Sequence, residues 1–155
     1  MDVESTMLPL GTKMPSFNLL GIDGEMYTNE IFDGKKGSLV MFICNHCPFV
    51  NHVNEEIVNL SNEIMGNDIG VIGINSNDST QEKYAEDSID KMREYADNLE
   101  YNFPMLLMKI NLLQKILRRN VHLIFFFLTV IKILFIEANL MALGLATMCQ
   151  LMGKA

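Results

Sequence analysis

Cys44 and Cys47 stand three positions apart in the run Cys44-Asn45-His46-Cys47-Pro48, where residue types and spacing suit thiol chemistry. With this spacing, one thiolate attacks a disulfide and the other resolves the mixed disulfide. Only the thiolate attacks, and a free cysteine titrates near about 8.5, so the site must favour the charged form. A helix beginning at the motif would do so through its unpaired N–H groups and its dipole. Pro48 suits the first turn of such a helix because it has no N–H to lose. His46, protonated or donating a hydrogen bond, would add to thiolate stability. Cys44 and Cys47 are therefore the candidate catalytic pair, with His46, Pro48 and Asn45 supporting them.

Other chemistry fits the same stretch. Cys44, His46, Cys47 and His52 are near enough in sequence to be half of a zinc site. Structural zinc sites usually pair two such knuckles, however, and the chain has no second one. Buried, inert cysteines are a further alternative. No metal ligands and no cofactor are assigned. His52 alone, a turn beyond the motif, reads as a surface or packing residue. Asn75 and Asp78 lie at the end of a strand, where α/β sheets build sites, but a polar turn explains them equally well.

The elements that must position the cysteines are legible on both sides. Leu39–Ile43 is a continuous apolar run, as a strand covered on both faces should be. Phe49 to Met65 has helical periodicity, with Phe49, Val53, Ile57, Leu60 and Ile64 on one face and Asn54, Glu55, Asn59 and Glu63 on the other. Gly66 is expected to close it in a left-handed conformation. Ile69 to Ile74 is a second buried strand, whose Gly70 and Gly73 would admit a helix closely, and strand-helix-strand implies a right-handed parallel unit. Asp23-Gly24 predicts a hairpin between Phe17–Leu20 and Glu25–Tyr27. Ser88 is a candidate N-cap for a helix that buries Ile89, Met92, Tyr95, Ala96 and Leu99 and stops at Phe103-Pro104.

Length fits one domain, and a hydrophobic content of 49% is enough for a core. Three cysteines make no disulfide framework, and no secretory signal pattern precedes the first element. A reducing, cytoplasmic location is expected. Charge divides the chain: residues 1–104 hold 6 Lys/Arg against 18 Asp/Glu, and residues 105–155 hold 6 against 1. Nucleic acid is not an expected partner of the acidic part, and the shift marks a boundary near Leu107.

Phe42 to His52, followed by Ile74-Asn75-Ser76-Asn77-Asp78 and Phe103-Pro104, resembles the thioredoxin-fold redoxins. The branch is the peroxiredoxin-like one of the alkyl hydroperoxide reductase and thiol-specific antioxidant (AhpC/TSA) family. Gly11 to Phe17 and Gly21 to Tyr27 resemble its N-terminal hairpin. The resemblance covers residues 10–107 and implies an α/β, thioredoxin-like fold: an N-terminal hairpin plus β-α-β-α. It implies Cys44 as exposed nucleophile, Cys47 as buried partner, a thiol or disulfide substrate and an external thiol donor. Peroxiredoxins carry P-x-x-x-T/S-x-x-C, whose cysteine would align with Cys47. Here Val40 takes the proline position and Cys44 the Thr/Ser position, which favours thiol–disulfide exchange over peroxide reduction. A histidine directly before the second cysteine resembles oxidising members such as the disulfide isomerases.

Residues 108–155 do not continue the resemblance. It implies a Cys-Thr-Pro segment with a cis proline beside the site, then two antiparallel strands and a helix. The chain instead runs through a basic stretch, Lys109 to Asn120, into the apolar Val121 to Ile136. The expectation is that these strands are missing or replaced by an apolar tail, which leaves an open sheet edge, poor stability and weak or absent turnover. One explanation of the tail is a reading-frame change, set against a genuine divergent tail. Asn120 to Ile124 written AAT GTA CAC CTG ATT and read from the third base gives Cys-Thr-Pro-Asp. Matched codon choices at Ile133 to Ala138 and Leu140 to Met148 give Phe-Ile-Tyr-Arg-Gly and Asp-Gly-Ser-Arg-Pro-Gly-Asn-Asn. Membrane contact by residues 121–145 is the competing reading, which would leave a tethered, non-catalytic relic. It is weakened by Lys132, Glu137 and Asn139, because a span needs about 20 predominantly apolar residues. Cys149, in this stretch, receives no role.

Overall fold

A computed structural model describes residues 14–108 and the backbone of 124–129. Cys149, Gly11, the basic stretch from Lys109 and nearly all of the 121–145 segment lie outside the described residues. Among the described residues, no helix is long and apolar enough to cross a membrane.

The hairpin forms as the Asp-Gly pair predicts. β1 (Asn18–Gly21) pairs antiparallel with β2 (Met26–Thr28), Leu19 opposite Tyr27. Gly24 takes φ +93°, a conformation that glycine adopts without strain. A 3-10 turn, Asn29–Phe32, then leads to β3 (Gly37–Phe42), all six residues of which are buried. β3 ends just before the cysteine motif, and α1 (Pro48–His52) begins just after it. α2 (Asn54–Met65), β4 (Ile69–Asn75), a 3-10 segment (Glu82–Asp87), α3 (Ile89–Asn98), β5 (Met105–Leu107) and β6 (Ile124–Thr129) follow.

The sheet order is β2-β1-β5-β4-β3-β6. β3, β4 and β5 are parallel, with Leu39 beside Val71 and Ile74 beside Leu106. β3 to β4 through α1 and α2 is the expected parallel unit. Side chains alternate across the sheet, as strand geometry requires. Leu39, Met41 and Val71 join Ile57, Leu60, Ile64 and Met92 in one cluster with both cysteines. Val40, Phe42, Ile72 and Ile74 join Phe17, Phe32 and Leu106 on the opposite face.

Several local expectations are corrected. The helix foreseen from Phe49 to Met65 is two helices, interrupted at Val53 with φ −115° and ψ 14°. Asn54, assigned to the solvent face, is only 5% exposed. Its amide donates to the Tyr95 hydroxyl at 2.6 Å, and its carbonyl accepts from the Tyr101 hydroxyl at 2.8 Å. Gly66 is right-handed at φ −61°, and the left-handed residue is Asp68 at φ +63°. Gly70 and Gly73 make room for side chains rather than for a helix backbone. A Cβ at Gly70 would meet the Phe32 ring at 2.5 Å, and one at Gly73 would run into Met105 Sδ. Ser88 occupies the N-cap of α3 but its side chain makes no capping bond. On that helix Met92 and Ala96 are buried, whereas Ile89 is exposed.

The largest correction concerns the sheet edge. β6 lies antiparallel along the whole of β3, from Gly37 opposite Thr129 to Phe42 opposite Ile124. A strand from the tail thus covers the edge that the sequence leaves open. Ile-Phe-Phe-Phe-Leu-Thr is rich in β-branched and aromatic residues, which fit a pleated sheet whatever their origin.

Candidate functional site

The two cysteines occupy the carboxyl end of β3, where the chain leaves the sheet and turns into α1. Cys47 is the N-cap of α1, with Pro48 in the first turn as expected. Both thiols are free. Cys44 is 5% exposed and Cys47 3%, so the expectation of an exposed nucleophile is corrected: both lie against the helix-covered core. Burial pushes the Cys44 thiol up to about 12, with smaller contributions from the Asp87 carboxylate and the neighbouring Cys47. The Cys47 N–H and the Asn77 amide, which favour the charged sulfur, pull the other way. Desolvation disfavours the charged form and here outweighs those donors, which the sequence argument from a helix N-terminus did not include.

One residue missed in the sequence organises the motif. Asp87, at the end of the 3-10 segment before α3, has a completely buried side chain. Its Oδ1 accepts the Asn45 N–H at 2.8 Å and the His46 N–H at 3.3 Å. Its Oδ2 lies 2.7 Å from His46 Nδ1 and accepts from the Asn77 amide at 2.9 Å. The Asn45 amide meanwhile donates to the Glu86 carbonyl at 3.0 Å. The carboxylate thus fastens the Cys-x-x-Cys turn to a loop 42 positions further along the chain. Nothing local to Asp87 distinguishes it from its acidic neighbours; only the fold brings it to the motif.

The remaining candidates sort clearly. His46 is partly exposed, and its ring meets Tyr84 edge-on at 5.0 Å between centroids, with Lys83 Nζ over the far ring at 4.5 Å. Asn45 supports the turn through the two bonds just given. Pro48 and His52 are exposed, and His52 lies in the last turn of α1. Asn75 is buried, receiving the Asn77 N–H at 2.9 Å and donating to Met92 Sδ at 3.0 Å, so it shapes the loop that carries Asn77. Asp78 caps its own turn through Thr80 and Gln81, which holds its carboxyl below the usual range. Cys44, His46 and Asp87 bring three potential metal-ligating atoms within 4.8 Å of one another; Cys47 and His52 are not in that group.

The chain belongs to the Redoxin family, which it matches over residues 9–108. It is a thiol-dependent redox protein with a thioredoxin-like fold. An uncharacterised conserved protein from Geobacillus kaustophilus is 36% identical, with a TM-score of 0.80 over 89% of this chain and 72% of that one. A hypothetical protein from Sinorhizobium meliloti 1021 is 26% identical, with a TM-score of 0.79 over 87% of this chain and 73% of that one. A thiol:disulfide interchange protein of the thioredoxin family from Chlorobium tepidum TLS shares the fold at 14% identity, with a TM-score of 0.63 over 90% of this chain and 88% of that one. Among curated proteins, none matches this chain.

Proposed function

We propose that the chain is a thiol–disulfide oxidoreductase in which Cys44 attacks and Cys47 resolves. The observation that carries this is the placement of two free thiols in one turn between β3 and α1, held by Asp87. Cys44 thiolate displaces one thiolate from a substrate disulfide and forms a mixed disulfide. Cys47 then attacks the Cys44 sulfur, releases the second substrate thiolate and leaves a Cys44–Cys47 disulfide. Two electrons have passed to the substrate, and an external thiol donor returns them. Val40 and Cys44, at positions where peroxiredoxins carry proline and a hydroxyl residue, weigh against peroxide as the main substrate. A reducing cytoplasmic compartment, where such donors are held reduced, suits the cycle. We read the segment from about Leu107 as an out-of-frame translation, which removes the proline loop that would dock a substrate, so turnover by this chain is slow.

Trapping separates the two roles. A Cys47→Ser chain treated with glutathione disulfide should accumulate a mixed disulfide on Cys44, resolved by mass spectrometry, and a Cys44→Ser chain should accumulate far less. Greater trapping on Cys47 in the Cys44→Ser chain would reverse the assignment, and equal trapping would remove it.

A further inference from the structure

We propose that Cys44, His46 and Asp87 form a binding site for a first-row divalent cation of the zinc type, with Cys47 left outside it. The donor atoms are a sulfur, an imidazole nitrogen and a carboxylate oxygen, all within 4.8 Å of one another. Zinc bonds of about 2.0 to 2.3 Å place neighbouring ligand atoms about 3.3 to 3.7 Å apart, so the group closes on an ion by roughly 1 Å at its widest gap. The His46 side chain is 23% exposed, so one side of the group opens toward solvent, and its ring must shift against Tyr84 and Asn77 as the site closes. Its Nδ1 now lies 2.7 Å from Asp87 Oδ2, a separation that opens by roughly half an ångström when an ion replaces the shared proton.

The surroundings are those of a built site. The Asp87 side chain is 0% exposed, and among the described residues its ion pair is with His46. One carboxylate oxygen is fixed by the Asn45 and His46 N–H groups, which aims the other toward Cys44 and His46. The Asn77 amide donates to that second oxygen at 2.9 Å, lies 3.4 Å from His46 Nδ1 and also faces Cys44, so it stands among the three donor atoms and turns aside when an ion enters. A buried carboxylate beside a buried thiol opposes thiolate formation, whereas a cation between them favours both anions. Sulfur with nitrogen and a single oxygen suits zinc and cobalt better than calcium or magnesium, which take oxygen ligands. Three protein ligands leave a fourth position for water or a small ligand. The set differs from the Cys44, His46, Cys47 and His52 grouping suggested by sequence proximity, and it needs no catalytic turnover to be real. Coordination and disulfide exchange compete for the Cys44 sulfur, so the oxidised chain binds no ion here.

The test is titration of the reduced full chain with Co²⁺ alone, followed by competition with Zn²⁺. One equivalent should give a thiolate-to-cobalt charge-transfer band that Zn²⁺ removes. Cys44→Ser should abolish the band, and His46→Ala and Asp87→Asn should each weaken binding at least tenfold, while Cys47→Ser retains it. Asn at position 87 keeps an oxygen for the Asn45 and His46 N–H groups, and circular dichroism of each variant verifies the fold. Absence of a charge-transfer band in the folded, reduced chain overturns the proposal. So does loss of binding in Cys47→Ser with His46→Ala and Asp87→Asn unchanged, which would show a simple two-thiol chelate.

Discussion

Burial holds the proton on Cys44 in the reduced chain, so the thiolate is the minor form at neutral pH. With the thiol pushed up to about 12, alkylation of Cys44 by iodoacetamide should be slow at pH 7 and rise about tenfold per pH unit through the alkaline range. Site-resolved mass spectrometry would check it, and a plateau near pH 7 would show a far more acidic thiol. The same shift acts on stability. The fold holds the thiol proton to higher pH than the unfolded chain, whose cysteine titrates near about 8.5. This contribution is complete below that value and is lost as pH rises toward about 12, so denaturant midpoints should fall across that window and fall less in Cys44→Ser. The reactive pair was readable from spacing alone, because a Cys-x-x-Cys before a helix is a local pattern. Its electrostatic setting was not, because burial and Asp87 are products of the tertiary fold.

α1 and α2 meet at a break whose purpose is packing. Asn54 turns inward there and joins the Tyr95 and Tyr101 hydroxyls, while Tyr95 also bonds to Asn51. Asn54→Ala should cost about 1 to 3 kcal/mol, because the part-buried Tyr101 hydroxyl loses its acceptor. A urea titration would measure this, and a change below about 0.5 kcal/mol would show that water replaces the amide. On β4, Gly73→Ala should lower the thermal midpoint by several degrees, since a Cβ there would run into the Met105 sulfur and press on Ile43 and Phe103 at 3.2 Å. Periodicity located α2 and α3, because most of their inward positions are apolar. It placed Asn54 on the wrong face, because a buried amide is invisible to a rule that counts apolar residues. It missed the 3-10 segment carrying Asp87 for a related reason: short polar turns have no period.

The whole molecule joins a recognisable front to a tail of different composition, and β6 from that tail pairs with β3 at the sheet edge. The front was legible because its strands, turn signals and motif agree with one another. The strand at 124–129 was not, because a uniformly apolar run does not say which edge it will join. Nucleotide sequencing should find Cys-Thr-Pro near Val121 in the frame beginning at the third base. The chain expressed in that restored frame should reduce insulin at least tenfold faster than the present one; equal rates would remove the tail from any account of activity. The Asp87 fastening also sets an order of events during synthesis. Asn45 and its partner are 42 positions apart, so both cysteines are made well before the carboxylate that locks their turn. At about 5 to 20 residues per second, that interval lasts roughly 2 to 8 s. Through that interval the turn between the nascent thiols lacks the carboxylate that fastens it.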